Sequence, residues 1–236
     1  MTSGVPPASL VVSCDWGALP GPEELLGGRE RAYAASLEGP RRTEWVRTRL
    51  TAKLAVRRMS GESESGVEIL PDRRGAPCLV AGPAAVTVSL AHTGALTVCA
   101  VTRGGRDGAL GVDVEPLDPR NEILLPRLLG HGEQPHVVGG LSPGVRATAL
   151  VSCKEAALKA CRGASRSLRD HRLWRCREGR LWVRSAVPGA PDLRVFLSYG
   201  EGLVTALCQV GPRPPAYLRT TPEEVLAELR PGVPVR

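Results

Sequence analysis

The chain of 236 residues has few aromatics: one Phe, three Tyr and four Trp, 3% in all. A core must therefore be built from Leu, Val and Ala, and the exposed rings of a base-stacking platform are not to be expected. Long apolar runs are missing too. No stretch of about 18 or more apolar residues could span a bilayer. No basic segment followed by a long apolar run marks a secretion signal, so a cytoplasmic protein is expected. The seven cysteines form no C-x-x-C pair and sit inside apolar runs such as Thr97-Val98-Cys99-Ala100. They read as small buried hydrophobes in a reducing compartment. His131 and His136 lie in a Gly/Pro-rich loop without partner ligands at zinc spacing. Lysine is the scarcest cation: only Lys53, Lys154 and Lys159 occur, and every other basic side chain is Arg. Where Arg is the default, a Lys is a compact point charge that titrates when buried.

What is present is ample apolar residue, 42%, and a net charge of +7. The charge favours an acidic partner or a phosphorylated ligand. Periodicity predicts strands and helices in alternation. A strand at Ser9–Ser13 precedes a helix resuming after Gly27 and Gly28, then a long helix from Arg42 to Met59 with Trp45, Leu50, Leu54 and Met59 on one face. The arginines at 41, 42, 47 and 49 read as its solvated face. Strands are expected at Val67–Leu70, Ala85–Leu90, Leu96–Thr102 and Ala109–Val114, with a linker at residues 104–108. A helix near Ile123–Leu129, a loop over 130–144 and a strong helix from Arg146 to Arg162 follow. Four strands come next, near Leu173–Cys176, Leu181–Ser185, Leu193–Ser198 and Val204–Val210. The chain closes with an extended tail and a short helix at Pro222–Leu229, N-capped by Thr221. The order strand, helices, strands thus occurs twice. Two α+β halves are expected, residues 1–107 and 108–236.

Two segments carry candidate chemistry. In Leu110-Gly111-Val112-Asp113-Val114-Glu115-Pro116 a strand puts Asp113 and Glu115 on one face. Two adjacent carboxylates suit a hard cation such as Mg²⁺ with phosphate oxygens, although D-x-E alone also describes a solvated edge. In Cys153-Lys154-Glu155-Ala156-Ala157-Leu158-Lys159 a helix puts Glu155 and Lys159 on one face. They are a surface ion pair in one reading, a metal ligand or base beside a phosphate clamp in the other.

Together these segments resemble the signature of the Sfp-type 4′-phosphopantetheinyl transferases: G-V-D-V-E, then K-E-A-x-x-K. Arg73-Arg74-Gly75-Ala76-Pro77 is similar to that family's basic-G-K-P turn, and Val88-Ser89-Leu90-Ala91-His92-Thr93-Gly94 to its N-[IL]-S-H segment. Glu30-Arg31-Ala32 and the Arg42–Arg57 stretch fit its basic N-terminal helices. The resemblance covers nearly the whole chain. It implies a pseudo-twofold pair of similar α/β halves with one active site in the cleft between them. It implies transfer of 4′-phosphopantetheine from coenzyme A to a serine of acyl or peptidyl carrier protein domains, for polyketide or non-ribosomal peptide assembly. Asp113, Glu115 and Glu155 would hold Mg²⁺. Glu155 would take the serine proton, while Lys154 and Lys159 lie by the phosphates. Arg31 and His92 would contact the 3′-phosphate, with Ser89 beside them, and Arg74, Gly75, Ala76 and Pro77 would cradle the adenine. Since one chain completes such a site, a monomer is expected, with no nucleic acid or membrane partner. Ala76 stands where the family carries Lys, and Ser89 and Ala91 replace its Asn and Ser. Three other readings remain: a catalytically weak carrier-binding relative, a Mg²⁺-dependent enzyme acting on another nucleotide pyrophosphate, and a basic nucleic-acid-binding protein, which leaves the carboxylates unexplained.

Overall fold

The computed structural model describes residues 9–61, 66–104, 108–139, 141–162, 164–165 and 167–230. Strand β1 (Ser9–Asp15) leads to helices α1 (Gly28–Ala35) and α2 (Gly39–Ser60). The hairpin β2 (Glu68–Pro71) and β3 (Pro77–Ala81) follows, then β4 (Val86–Thr93) and β5 (Leu96–Arg103). The second run is β6 (Leu110–Pro116), a 3₁₀ turn at Pro119–Leu124, α3 (Leu125–Leu128) and α4 (Pro143–Ala160). It continues through β7 (His171–Arg175), β8 (Leu181–Ser185), β9 (Leu193–Gly200) and β10 (Leu203–Gln209). The tail is β11 (Ala216–Thr220) and α5 (Pro222–Leu229).

The first sheet has the order β11-β1-β5-β4, the second β6-β10-β9-β8-β7, with β2-β3 a separate ribbon. Long helix α2 packs on the first sheet, burying Leu50, Leu54 and Val56 against Val12, Cys14 and Cys99. Helix α4 packs on the second, with Ala149, Cys153, Ala156 and Ala157 against Val195, Val204 and Ala206. A third cluster joins the two sheets through Val11, Val98 and Ala100 on one side and Val112, Val114 and Leu207 on the other. The α-helix and strand cores are thus largely Leu, Val, Ala and Cys, as aromatic scarcity requires.

Four expectations are corrected. The tail does not belong with the second half: β11 pairs in parallel with β1, from Leu10↔Ala216 to Cys14↔Thr220, and Val225 of α5 is buried in the first core. The helix expected near Ile123–Leu129 is α-helical over Leu125–Leu128 only, entered from a 3₁₀ turn at Pro119–Leu124, with Pro126 in its first turn where a missing N–H is tolerated. Strand β3 is an addition; a Pro-led, non-alternating pentapeptide gives no period-2 signal. Of the seven free cysteines, Cys14, Cys99, Cys153 and Cys208 are buried, but Cys78, Cys161 and Cys176 are partly exposed. Of the expected linker at 104–108, residues 105–107 lie outside the described residues. Among the described residues no helix is long and apolar enough to cross a membrane.

Candidate functional site

Strand β6 is the hinge of the site. Leu110, Val112 and Val114 join the core between the sheets, which turns Gly111, Asp113 and Glu115 toward α4. Gly111 is required there: a Cβ at this position would sit 1.8 Å from the Ala156 carbonyl oxygen. Its absence lets α4 lie close enough for Glu155 and Lys159 to meet the carboxylates of β6.

Lys159 Nζ donates to Asp113 Oδ1 at 2.7 Å and to the Val112 carbonyl at 3.1 Å. Asp113 is 6% exposed, and its Oδ2 is buried without a hydrogen-bond partner. Burial pushes the Glu115 carboxyl above its ordinary range, and Asp113 and Glu155 add to this against the pull of Lys159. Glu155 is raised likewise, by burial and then by Asp113. Three carboxylates thus share one ammonium. That donor set, all hard oxygens with one orphaned, fits a divalent cation. Among the described residues no group of three or more His, Cys, Asp or Glu side chains is placed to hold a metal ion, and Asp113 has one oxygen on Lys159.

Beside this cluster opens a cavity of about 280 Å³ whose walls come from both halves. Arg74, Gly75, Ala76, Pro77, Val88, Ser89 and Leu90 face Leu158, Lys159 and Arg162. Gly75 has φ +84°, and Asp72 Oδ1 fixes the turn by accepting the Arg74 and Ala76 N–H groups at 2.8 and 3.0 Å. Ser89 Oγ accepts the Val112 N–H at 3.0 Å, tying β4 to β6. Arg74 reaches the Arg162 carbonyl at 3.4 Å. His92 is exposed and lines a neighbouring groove of about 250 Å³ with Tyr33, Arg41 and Trp45.

Two expected site residues are elsewhere. Lys154 is fully buried, with Nζ 2.7 Å from Glu133 Oε2 and 2.6 Å from the His171 carbonyl. A lysine followed immediately by Glu155 lies about 100° round the helix from it, so the two cannot face one cleft. Arg31 turns its guanidinium back on the Leu26 carbonyl at 2.5 Å and lines neither cavity.

Sequence reasoning also misjudged Arg49. It is 7% exposed, not solvated. Its Nε donates to the Ile69 carbonyl at 2.8 Å, and its guanidinium lies 4.5 Å from the Trp45 ring centroid. Burial lowers its pKa to about 10. It lines both cavities, a cation held at their junction. Arg162, at φ 49°, was missed as well; neither carries a local sequence signal beyond its charge.

No family model and no curated protein matches the chain. Among solved structures it is similar to a holo-(acyl-carrier-protein) synthase from Bacillus anthracis in complex with coenzyme A (3′,5′-ADP). The identity is 31%, covering 34% of this chain and 76% of that one, with a TM-score of 0.33.

Proposed function

We propose that this protein transfers the 4′-phosphopantetheine group of coenzyme A to a serine hydroxyl of acyl or peptidyl carrier domains. The observation that carries the reading is the meeting of Asp113, Glu115, Glu155 and Lys159 on facing surfaces of β6 and α4, beside a cavity walled by both halves. In this reading the halves are related by an approximate twofold: sheet order β1-β5-β4 matches β6-β10-β9, and each carries one long helix on its sheet.

The chain's own groups divide the work. Glu155, whose raised pKa makes it a better proton acceptor than an ordinary carboxylate, removes the serine proton. The serine oxygen forms a bond to the β-phosphorus of the coenzyme A pyrophosphate. The bond from that phosphorus to the bridging oxygen breaks, and 3′,5′-ADP departs with the electron pair. Lys159 neutralises charge on the leaving phosphate. Asp113, Glu115 and Glu155 would hold Mg²⁺, which would supply further neutralisation of phosphate charge. Arg49, Arg74 and Arg162 offer cations to the remaining phosphates, His92 offers a ring nitrogen beside them, and the Arg74–Pro77 turn takes the adenine. The basic surface steers acidic carriers toward the cleft. One chain completes the site, so the working unit is a monomer. Polyketide or non-ribosomal peptide carriers are the substrates this reading favours.

The test is incubation with coenzyme A, Mg²⁺ and several apo carrier proteins, with the carriers weighed by intact-mass spectrometry. A gain of one phosphopantetheine arm, abolished by chelator, supports the reading. No gain on any carrier together with no coenzyme A binding overturns it.

A further inference from the structure

Two buried ion pairs occupy matching places in the two halves. In the first, Lys53 Nζ of α2 lies 2.7 Å from Glu30 Oε2 and donates to the Val67 carbonyl at 2.6 Å. Glu30 Oε2 also accepts the Gly27 N–H at 2.9 Å, and Oε1 accepts the Ile69 N–H at 2.8 Å. In the second, Lys154 Nζ of α4 lies 2.7 Å from Glu133 Oε2 and donates to the His171 carbonyl at 2.6 Å. Glu133 Oε2 accepts the Gly130 N–H at 2.9 Å, and Oε1 accepts the Leu173 N–H at 2.8 Å. Partner for partner the bonds agree: the Gly three residues before the Glu, the carbonyl at the start of the following strand taken by the Lys (Val67 just before β2, His171 first in β7), and the N–H two residues further along. Each pair therefore ties the long helix of its half to the segment before it, α1 in the first half and the 130–134 loop in the second, and to the strand after it.

Stability alone does not account for such pairs. Burying two charges costs much of what their attraction returns, and apolar replacements are often neutral or better. What differs between the halves is the neighbour. After Lys53 comes Leu54, fully buried, opposite Val12 and Cys14. After Lys154 comes Glu155, opposite Asp113 and Glu115. One apolar helix face and one acidic face hang from the same clamp.

We infer that Glu133 and Lys154 are positioning residues: they fix the rotation of α4 about its axis, and so hold Glu155 and Lys159 against Asp113 and Glu115. This rests on the function proposed above, and the first-half pair supplies a matched control. The experiment compares Glu133→Gln/Lys154→Met with Glu30→Gln/Lys53→Met in the full chain. Melting curves, Mg²⁺ binding by calorimetry without coenzyme A, and steady-state transfer to a carrier are measured on both. Both variants are expected to change stability to a similar degree. Only the second-half variant is expected to lose Mg²⁺ affinity and kcat, by roughly 10–100-fold as for residues that orient metal ligands, with KM for coenzyme A little changed. Unaltered Mg²⁺ affinity and kcat in that variant, or equal losses in both, would overturn the inference. If either double variant does not fold, Glu133→Asp against Glu30→Asp, which keeps the charge and withdraws it by one methylene, is read by the same outcomes. A wild-type chain that binds Mg²⁺ but modifies no carrier counts against the transferase reading alone, and the Mg²⁺ comparison then still decides the positioning role.

Discussion

Asp113 divides its two oxygens: Oδ1 accepts Lys159 at 2.7 Å, while Oδ2 is buried and unpartnered. Asp113→Asn keeps the shape and removes the charge that pairs with Lys159 and that a bound cation would need. Turnover is expected to fall roughly 10²–10³-fold, the size of losing one preorganised electrostatic group, with an unchanged circular dichroism spectrum; near-wild-type turnover would remove Asp113 from the site. Glu115 and Glu155 add a pH dependence. Their raised pKa values mean that the folded, metal-free protein holds protons there more tightly than the unfolded chain does. Their burial as charged groups, together with the Asp113 charge beside them, therefore weakens the fold at neutral pH, and this is relieved as pH falls through the raised values. A cation that needs both ionised is expected to raise Tm more at pH 7.5 than at pH 5, and a Mg²⁺ shift equal at both would argue against this donor set. His171 works in the other direction. It is fully buried, neither ring nitrogen has a partner, and burial lowers its pKa. The neutral ring is the folded form, so its contribution is complete above its ordinary value of about 6.5 and is lost as pH falls from there toward the lowered folded value. The loss of Tm between pH 7.5 and pH 5.5 is expected to shrink in His171→Leu; an equal loss in both proteins would assign the acid sensitivity elsewhere.

At the scale of the element, the approach of α4 to β6 decides whether the site exists. Gly111→Ala places a methyl group 1.8 Å from a helix carbonyl, and backbone on both sides must give way. Overpacking of this kind costs about 1–3 kcal/mol. Because the shift displaces Glu155 and Lys159 from Asp113, turnover is expected to fall further than stability does; denaturant unfolding and transfer kinetics on one preparation measure both. This geometry explains what could be read beforehand. Strand alternation already put Asp113 and Glu115 on one face, and helix spacing put Glu155 and Lys159 together, because both follow from local backbone period. Helix α5 was legible from Thr221, whose hydroxyl accepts the Glu224 N–H in a capping box. Lys154 was misplaced for the opposite reason: its partners Glu133 and the His171 carbonyl are 21 and 17 residues away, and no local pattern records a long-range pair. Arg49 was taken as solvated because a guanidinium in a polar helix face looks the same whether it meets water or a carbonyl from a neighbouring strand.

At the scale of the molecule, the tail matters more than its distance from the carboxylates suggests. It completes the first half: β11 satisfies the outer edge of β1, α5 buries Val225, and Leu218, Leu226 and Leu229 pack against the same core. Arg57 and Arg58 of α2 both bond Glu228. The first half in turn supplies one wall of the cavity, joined to the second by the Ser89 bond to Val112 and the Arg74 bond to Arg162. Removing residues 216–236 strips a strand and several apolar contacts from the first half. The stability of that half is expected to drop by several kcal/mol, since each fully buried Val or Leu contributes about 1.5–3 kcal/mol, and coenzyme A binding is expected to disappear with it. Val225→Ala is the graded version, lowering stability by up to about 3 kcal/mol while leaving coenzyme A affinity intact at low temperature, where the first half stays folded. Hydrogen exchange on both variants locates the damage: accelerated exchange is expected in β1, β5 and α2, with β6 to β10 and α4 slower to follow. Uniform acceleration would instead mean that the two halves melt as a single cooperative unit, and that the core between the sheets, Val11 and Val98 against Val112 and Leu207, couples them more strongly than the tail holds either one.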